Sequence, residues 1–218
     1  MGPAEQSHSM NRRSIDLADP PIHPRWMRAC HWLNAVAVLL LVTSGWRIYN
    51  AAPFFAFSIP ARITLGGWLG GALQWHFAAM WLLAGNGVVY LALNLASGRL
   101  ARKFFPLSLA GILRDGLAAL RGQLSHADPR HYNSVQRFAY LFVMADITLL
   151  LLSGLVLWKS VQFGHLRDLL GGYEFARRIH FFSMAALVAF IAVHLVMVAL
   201  VPRTLLTMLA GGRTRRTA

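Results

Sequence analysis

The chain has 218 residues, of which 56% are hydrophobic and 13% charged, with a mean hydropathy of +0.49. These values exclude an ordinary soluble domain and call for an all-α integral membrane protein. In that setting the formal net charge of +13 reads as topology and contact with anionic lipid headgroups, not nucleic-acid binding, and a single cysteine, Cys30, excludes a disulfide framework or a thiolate metal cluster.

Residues 1–22, with Pro20-Pro21 and scattered polar side chains, read as a flexible tail without the apolar core of a cleavable signal peptide. Residues 23–210 form the membrane domain, and 211–218 a short basic tail. Within the domain, four apolar stretches are each long enough to cross a bilayer, which takes roughly 20 helical residues. They run over about 30–49, 72–96, 135–158 and 176–201, with Trp and Tyr gathered at their ends as in an interfacial belt. The expected fold is therefore an integral membrane four-helix bundle.

The connections differ in character. Residues 50–71 are almost uncharged and rich in Gly, Pro and Phe, so this loop either lies in the interface or is covered by a partner. Between the second and third spans, Leu109, Ile112, Leu113, Leu117, Leu120 and Leu124 recur at helical spacing opposite Arg114, Asp115 and Arg121. That pattern predicts a helix lying on the anionic leaflet or packed beneath the bundle. Placing both termini in the cytoplasm puts 15 of the 21 basic residues on that side, as the positive-inside rule requires.

Ionisable groups inside the spans carry the functional signal. In the fourth span His180 and His194 are fourteen residues apart, which leaves their imidazoles on one face about 21 Å apart along the axis. His31 lies a turn inside the start of the first span, at the depth of His194; His76 lies near the start of the second, at the depth of His180. Two facing imidazoles at one level suit six-coordinate haem iron, one axial ligand on each face, whereas zinc would want three or four ligands and the spans add only Asp146. The pairs His31/His194 and His76/His180 are thus candidate ligands of two b haems. Covalent attachment is not expected, because Met27 stands where a c-type motif ending in Cys30-His31 needs a cysteine.

Other residues fit around this core. Gly45 follows His31 by fourteen residues and Gly87 follows His76 by eleven, so both offer room beside a broad cofactor; Gly154 could do likewise. Small residues also serve helix packing alone. Arg28 and Arg178, with Arg137 and Arg177, flank the two levels and suit haem propionates, or serve as plain interface anchors. Asp146 is protonated or bonded to a polar neighbour such as Asn86, with a proton-relay role open, and His23 is a headgroup-level residue or a quinone-site donor. The remaining histidines read as surface residues.

His23-Pro24 with Arg28 and His31-Trp32, Ser44-Gly45-Trp46, Leu73-Gln74-Trp75-His76, Gln136-Arg137-Phe138-Ala139-Tyr140 and Arg178-Ile179-His180-Phe181-Phe182 resemble the b-type cytochrome subunits of nickel–iron hydrogenases, formate dehydrogenases and thiosulfate reductases. The likeness spans roughly residues 23–210. It implies a di-haem anchor of the bacterial inner membrane that exchanges electrons with quinone, and it carries the ligand role onto His31, His76, His180 and His194. The glycine-rich loop and Gly171-Gly172-Tyr173 look most like cytochromes accompanying a periplasmic molybdopterin oxidoreductase. Two other readings stay open: a stand-alone membrane oxidoreductase such as a superoxide:quinone oxidase, and a histidine-lined metal-ion or proton transporter.

Overall fold

The computed structural model describes residues 23–98, 109–120 and 134–211. The expected tails at 1–22 and beyond 211, and the basic residues Arg99, Arg102, Lys103, Arg121 and Arg130, lie outside the described residues.

Among the described residues every regular element is helical: α1 (Arg25–Ala51), a 3₁₀ turn (Ala61–Ile63), α2 (Leu69–Ala96), α3 (Leu109–Leu120), α4 (Ser134–Trp158), α5 (Gly164–Leu169), α6 (Tyr173–Leu200) and α7 (Pro202–Ala210). α1, α2, α4 and α6 are long and apolar enough to cross a membrane. They cover the four expected stretches but run longer at most ends. α1 starts five residues early, because Pro24 is already extended and leaves Arg25 free to open the helix. α6 starts three residues early, directly after Gly172 at φ 98°.

The helices pack as two hairpins, α1 against α2 and α4 against α6, with far closer approach within each hairpin than between them. Each seam is lined by small residues that let backbones approach: Ala37, Ser44, Ala72 and Ala79 in the first, Ser153, Ala176 and Ser183 in the second. The two seams follow one pattern. Ala72, Ala79 and Leu83 of α2 are buried, and so are Ala176, Ser183 and Leu187 of α6, each 104 positions later. Ala37 and Ser44 of α1 correspond likewise to Asp146 and Ser153 of α4, each 109 positions later. The sequence around these positions agrees: Leu40-Leu41 and Ser44-Gly45 match Leu149-Leu150 and Ser153-Gly154, while His76-Phe77 and Met80 match His180-Phe181 and Met184. The two hairpins thus repeat one seam pattern, although the sequence reading finds no repeat of the whole span pattern.

The loop after α1 folds back on the helix that precedes it. Asn50 bonds both the amide and the carbonyl of Ile59 at 2.8 Å, the Tyr49 hydroxyl donates to the Phe57 carbonyl at 3.2 Å, and the Leu65 amide reaches the Thr43 carbonyl at 3.0 Å. Gly66 then turns the chain into α2 at φ 103°, where an added Cβ would lie 2.3 Å from the Ala72 nitrogen, so only glycine fits. At the other end of the bundle Pro202 opens α7 at its first turn and Gly211, left-handed, closes it. α5 and α7 are additions to the expected elements. They have six and nine residues, too few to show a helical period in an apolar sequence.

Candidate haem-binding site

The structure brings the four candidate histidines together in two pairs. The His31 and His194 ring centres are 6.2 Å apart with ring planes at 62°; those of His76 and His180 are 6.3 Å apart, also at 62°. α1 supplies His31, α2 His76, and α6 both His180 and His194, so the pairs occupy two levels of the bundle. Each pair joins one hairpin to the other. Among the described residues, no group of three or more His, Cys, Asp or Glu is placed to hold a metal ion.

This donor set fits a metal ligated axially from two faces. Two metal–imidazole bonds of about 2 Å, with each nitrogen about 1.1 Å from its ring centre, separate the ring centres by roughly 6 Å. Both pairs have that spacing without repacking. The tautomer is also defined at the second level. His180 Nδ1 lies 3.1 Å from the Leu150 carbonyl, and the matching Leu41 carbonyl stands within bonding reach of His76. A carbonyl only accepts, so Nδ1 carries the proton in His180 and Nε2 keeps its lone pair for a metal.

A serine stands beside each of these rings. Ser44 Oγ is 3.0 Å from His76 Nδ1, and Ser153 Oγ is 3.0 Å from His180 Nδ1. Each hydroxyl donates to the carbonyl four residues back, Leu40 at 2.6 Å and Leu149 at 2.7 Å. These serines were not among the expected site residues. The signal was present as a Ser-Gly dipeptide at equivalent points of the first and third spans, one of which the family resemblance already included.

The expected glycines separate. A Cβ on Gly45 would lie 3.5 Å from His76 Cε1, and one on Gly154 3.3 Å from His180 Cε1, so both glycines admit the ring edge itself. Gly87 is exposed, with open space around it. Arg28 reaches α7: Nη1 donates to the Leu209 carbonyl at 2.5 Å, against the C-terminus of that helix, while Nε is buried with no partner among the described residues. Arg178 is exposed on α6. Its neighbour Arg177 makes the structured contacts instead, with Glu174 at 3.4 Å, the Ala52 carbonyl, and the face of Phe54 at 4.1 Å.

Asn86 is not the partner of Asp146. It donates to the Cys30 carbonyl at 2.8 Å and Asn34 Oδ1 at 2.6 Å within the first hairpin, whereas Asp146 accepts from Ser183 in the second. The polar neighbour expected of Asp146 is Ser183 of its own hairpin and not Asn86, because α2 and α4 belong to different hairpins. At the His180 end, Phe181 packs against Tyr49, Phe54, Phe55 and Phe182 at 5.3–5.8 Å, tying the returned loop to α6.

Residues 22–211 match the family model of the prokaryotic cytochrome b561 proteins. The chain belongs to that family. It is also 69% identical over 190 residues, 87% of this chain and 96% of the relative, to a protein of Azospira oryzae described as a putative protein-methionine-sulfoxide reductase subunit. Family membership makes this a multi-pass membrane cytochrome of the b type, implying haem b, electron transport and the role of an oxidoreductase subunit.

Proposed function

We propose that this chain carries electrons across the bacterial inner membrane between a periplasmic oxidoreductase subunit and the quinone pool, using two b haems. The observation that carries the reading is the double pairing, His31 with His194 and His76 with His180, at a spacing suited to iron and at two levels of one bundle. Haem, when bound, supplies one-electron redox chemistry at each level. His31, His194, His76 and His180 would hold it through their imidazole nitrogens, Gly45 and Gly87 would leave room beside the outer and inner pairs, and Arg28 and Arg178 would serve as cations for its propionates. About 21 Å of α6 separates His180 from His194 along the axis, so the two levels lie toward opposite membrane surfaces.

Both termini are cytoplasmic in this reading, which puts the His76/His180 level and the loops 50–68 and 159–172 on the periplasmic side. There a partner docks. The name of the Azospira oryzae relative, a sulfoxide reductase subunit, supports an oxidoreductase as that partner; the molybdopterin type follows from the family resemblance of the glycine-rich loop, and exposed Phe55, Phe57, Val161 and Leu169 offer the partner an apolar surface.

The test is spectroscopic. Purified protein should give reduced-minus-oxidised b-haem bands and two haems per chain. His31→Ala and His76→Ala should each lose one haem, and the two losses should be spectrally distinct. Absence of haem bands, or loss of the same haem in both variants, would overturn the assignment. Copurification with a periplasmic subunit distinguishes an anchor from a stand-alone quinone oxidoreductase.

A further inference from the structure

We infer that Ser44 and Ser153 are a matched pair of positioning residues that set the protonation and reduction potential of the His76/His180 centre alone; this rests on the bis-histidine reading above. The geometry repeats in both hairpins. Ser44 Oγ lies 2.6 Å from the Leu40 carbonyl and 3.2 Å from that of Leu41; Ser153 Oγ lies 2.7 Å from Leu149 and 3.2 Å from Leu150. Each stands 3.0 Å from the Nδ1 of the histidine across its own seam. Both serines are completely buried. The glycine that follows each one lets the ring edge approach, at 3.5 Å in one hairpin and 3.3 Å in the other for an added Cβ.

A serine that bonds backward within its own helix is common and by itself means little. Thr43 and Thr148 do the same with no histidine bonded to them among the described residues. What distinguishes Ser44 and Ser153 is where the oxygen's remaining lone pairs go. The hydroxyl has one hydrogen, and the short contact to Leu40 or Leu149 takes it. The oxygen can then only accept from Nδ1–H, as the Leu150 carbonyl also does at His180. The proton on Nδ1 is thereby held by a fixed acceptor in each ring, which sets ring rotation and tautomer and increases electron donation from Nε2. A more basic axial ligand stabilises the oxidised iron and lowers its potential.

The repeat confines this device to one level. The offsets that relate the hairpins carry His76 to His180 and Ser44 to Ser153, but they carry His31 to Tyr140, and the position matching His194 in the first hairpin is Tyr90. The inner pair is therefore not related by the repeat. His194 stacks at 8° on Phe190, and His31 meets Trp32 edge-on, so aromatic contacts orient those rings.

Redox titration of the purified full-length protein, followed in the visible spectrum, tests the inference. Ser44→Ala and Ser153→Ala should each raise the potential of the component that His76→Ala removes. The expected shift is a three- to ten-fold change in the reduced-to-oxidised ratio at fixed potential, ~28 to ~59 mV for a one-electron couple. The other component should not move, and Thr148→Ala, which removes a similar back-bond from the same helix, should move neither. Ser44→Cys and Ser153→Cys keep the volume with a weaker acceptor and should fall between wild type and alanine, which decides the matter where an alanine variant fails to fold. Unchanged potentials in haem-replete variants, or equal shifts at both levels, would overturn the inference while leaving the ligand assignment standing. A wild-type protein without haem would overturn both.

Discussion

At the scale of single residues, the clearest test of the seam between α4 and α6 is Asp146. It is buried within a span and accepts from Ser183, while Oδ2 has no hydrogen-bond partner among the described residues. The repeat supplies its control: the corresponding residues of the first hairpin are Ala37 and Ala79, both buried and apolar. Removing only Ser183 leaves the carboxyl desolvated and wholly unbonded, which costs about 1–3 kcal/mol. Replacing both partners removes the polar groups together and reproduces an alanine seam that the same fold already uses. Ser183→Ala should therefore lower the thermal midpoint in detergent, and Ser183→Ala with Asp146→Ala should recover it. A double variant less stable than the single one would show that the carboxyl has a further partner.

At the scale of elements, α3 is joined to the third span by an acidic cap from a distance. Asp115 Oδ2 accepts from the amide of Ser134, the first residue of α4, at 2.9 Å, and Arg114 lies 3.5 Å from Oδ1. An unpaired amide at a helix N-terminus attracts a carboxylate. The Ser134 amide, with the Arg114 guanidinium adding to it, holds the Asp115 carboxyl below its ordinary value of 3.8. The sign follows: a depressed value means the charged form is favoured in the fold, so the contact is fully present above pH 3.8 and weakens as pH falls below it. Hydrogen exchange at Ser134, corrected for intrinsic rates, should accelerate on acidification below about pH 4. Asp115→Ala should show the faster exchange already at neutral pH.

The same scale shows what the sequence made legible. α1, α2, α4 and α6 could be read directly because each buries an unbroken apolar run in lipid, and the depth of each histidine follows from its distance to the end of its run. Helix adjacency could not be read that way. Nothing in the composition of α2 says that it packs on α1 and not on α4, so Asn86 could be offered as a neighbour of Asp146 although it lies in the other hairpin. The repeat was hidden for a related reason: its two helices are offset by 109 and 104 positions, so no single shift aligns both. Ser44 and Ser153 became visible as site residues only once the seams were known.

At the scale of the whole molecule, the two hairpins pack tightly within themselves and lightly against each other, while both histidine pairs bridge between them. In a membrane the hydrophobic effect does little to hold one helix pair against another, and close packing and polar contacts must do so. Here those contacts lie mostly inside each hairpin, so a cofactor ligated from both halves would be a major link between them. A ligand that binds only the assembled state stabilises it in proportion to the logarithm of its concentration over its dissociation constant, about 4 kcal/mol at a thousandfold excess. Protein made in haem-depleted cells should consequently keep its helical circular dichroism, because each hairpin retains its seam, yet lose resistance to proteolysis and melt at a lower temperature. Adding haem should restore both properties in the wild type. In His31→Ala/His76→Ala, which leaves neither level a complete pair, haem should restore neither. If haem-depleted and haem-replete proteins melt together, the hairpins are held by helix contacts alone and the bridging role fails.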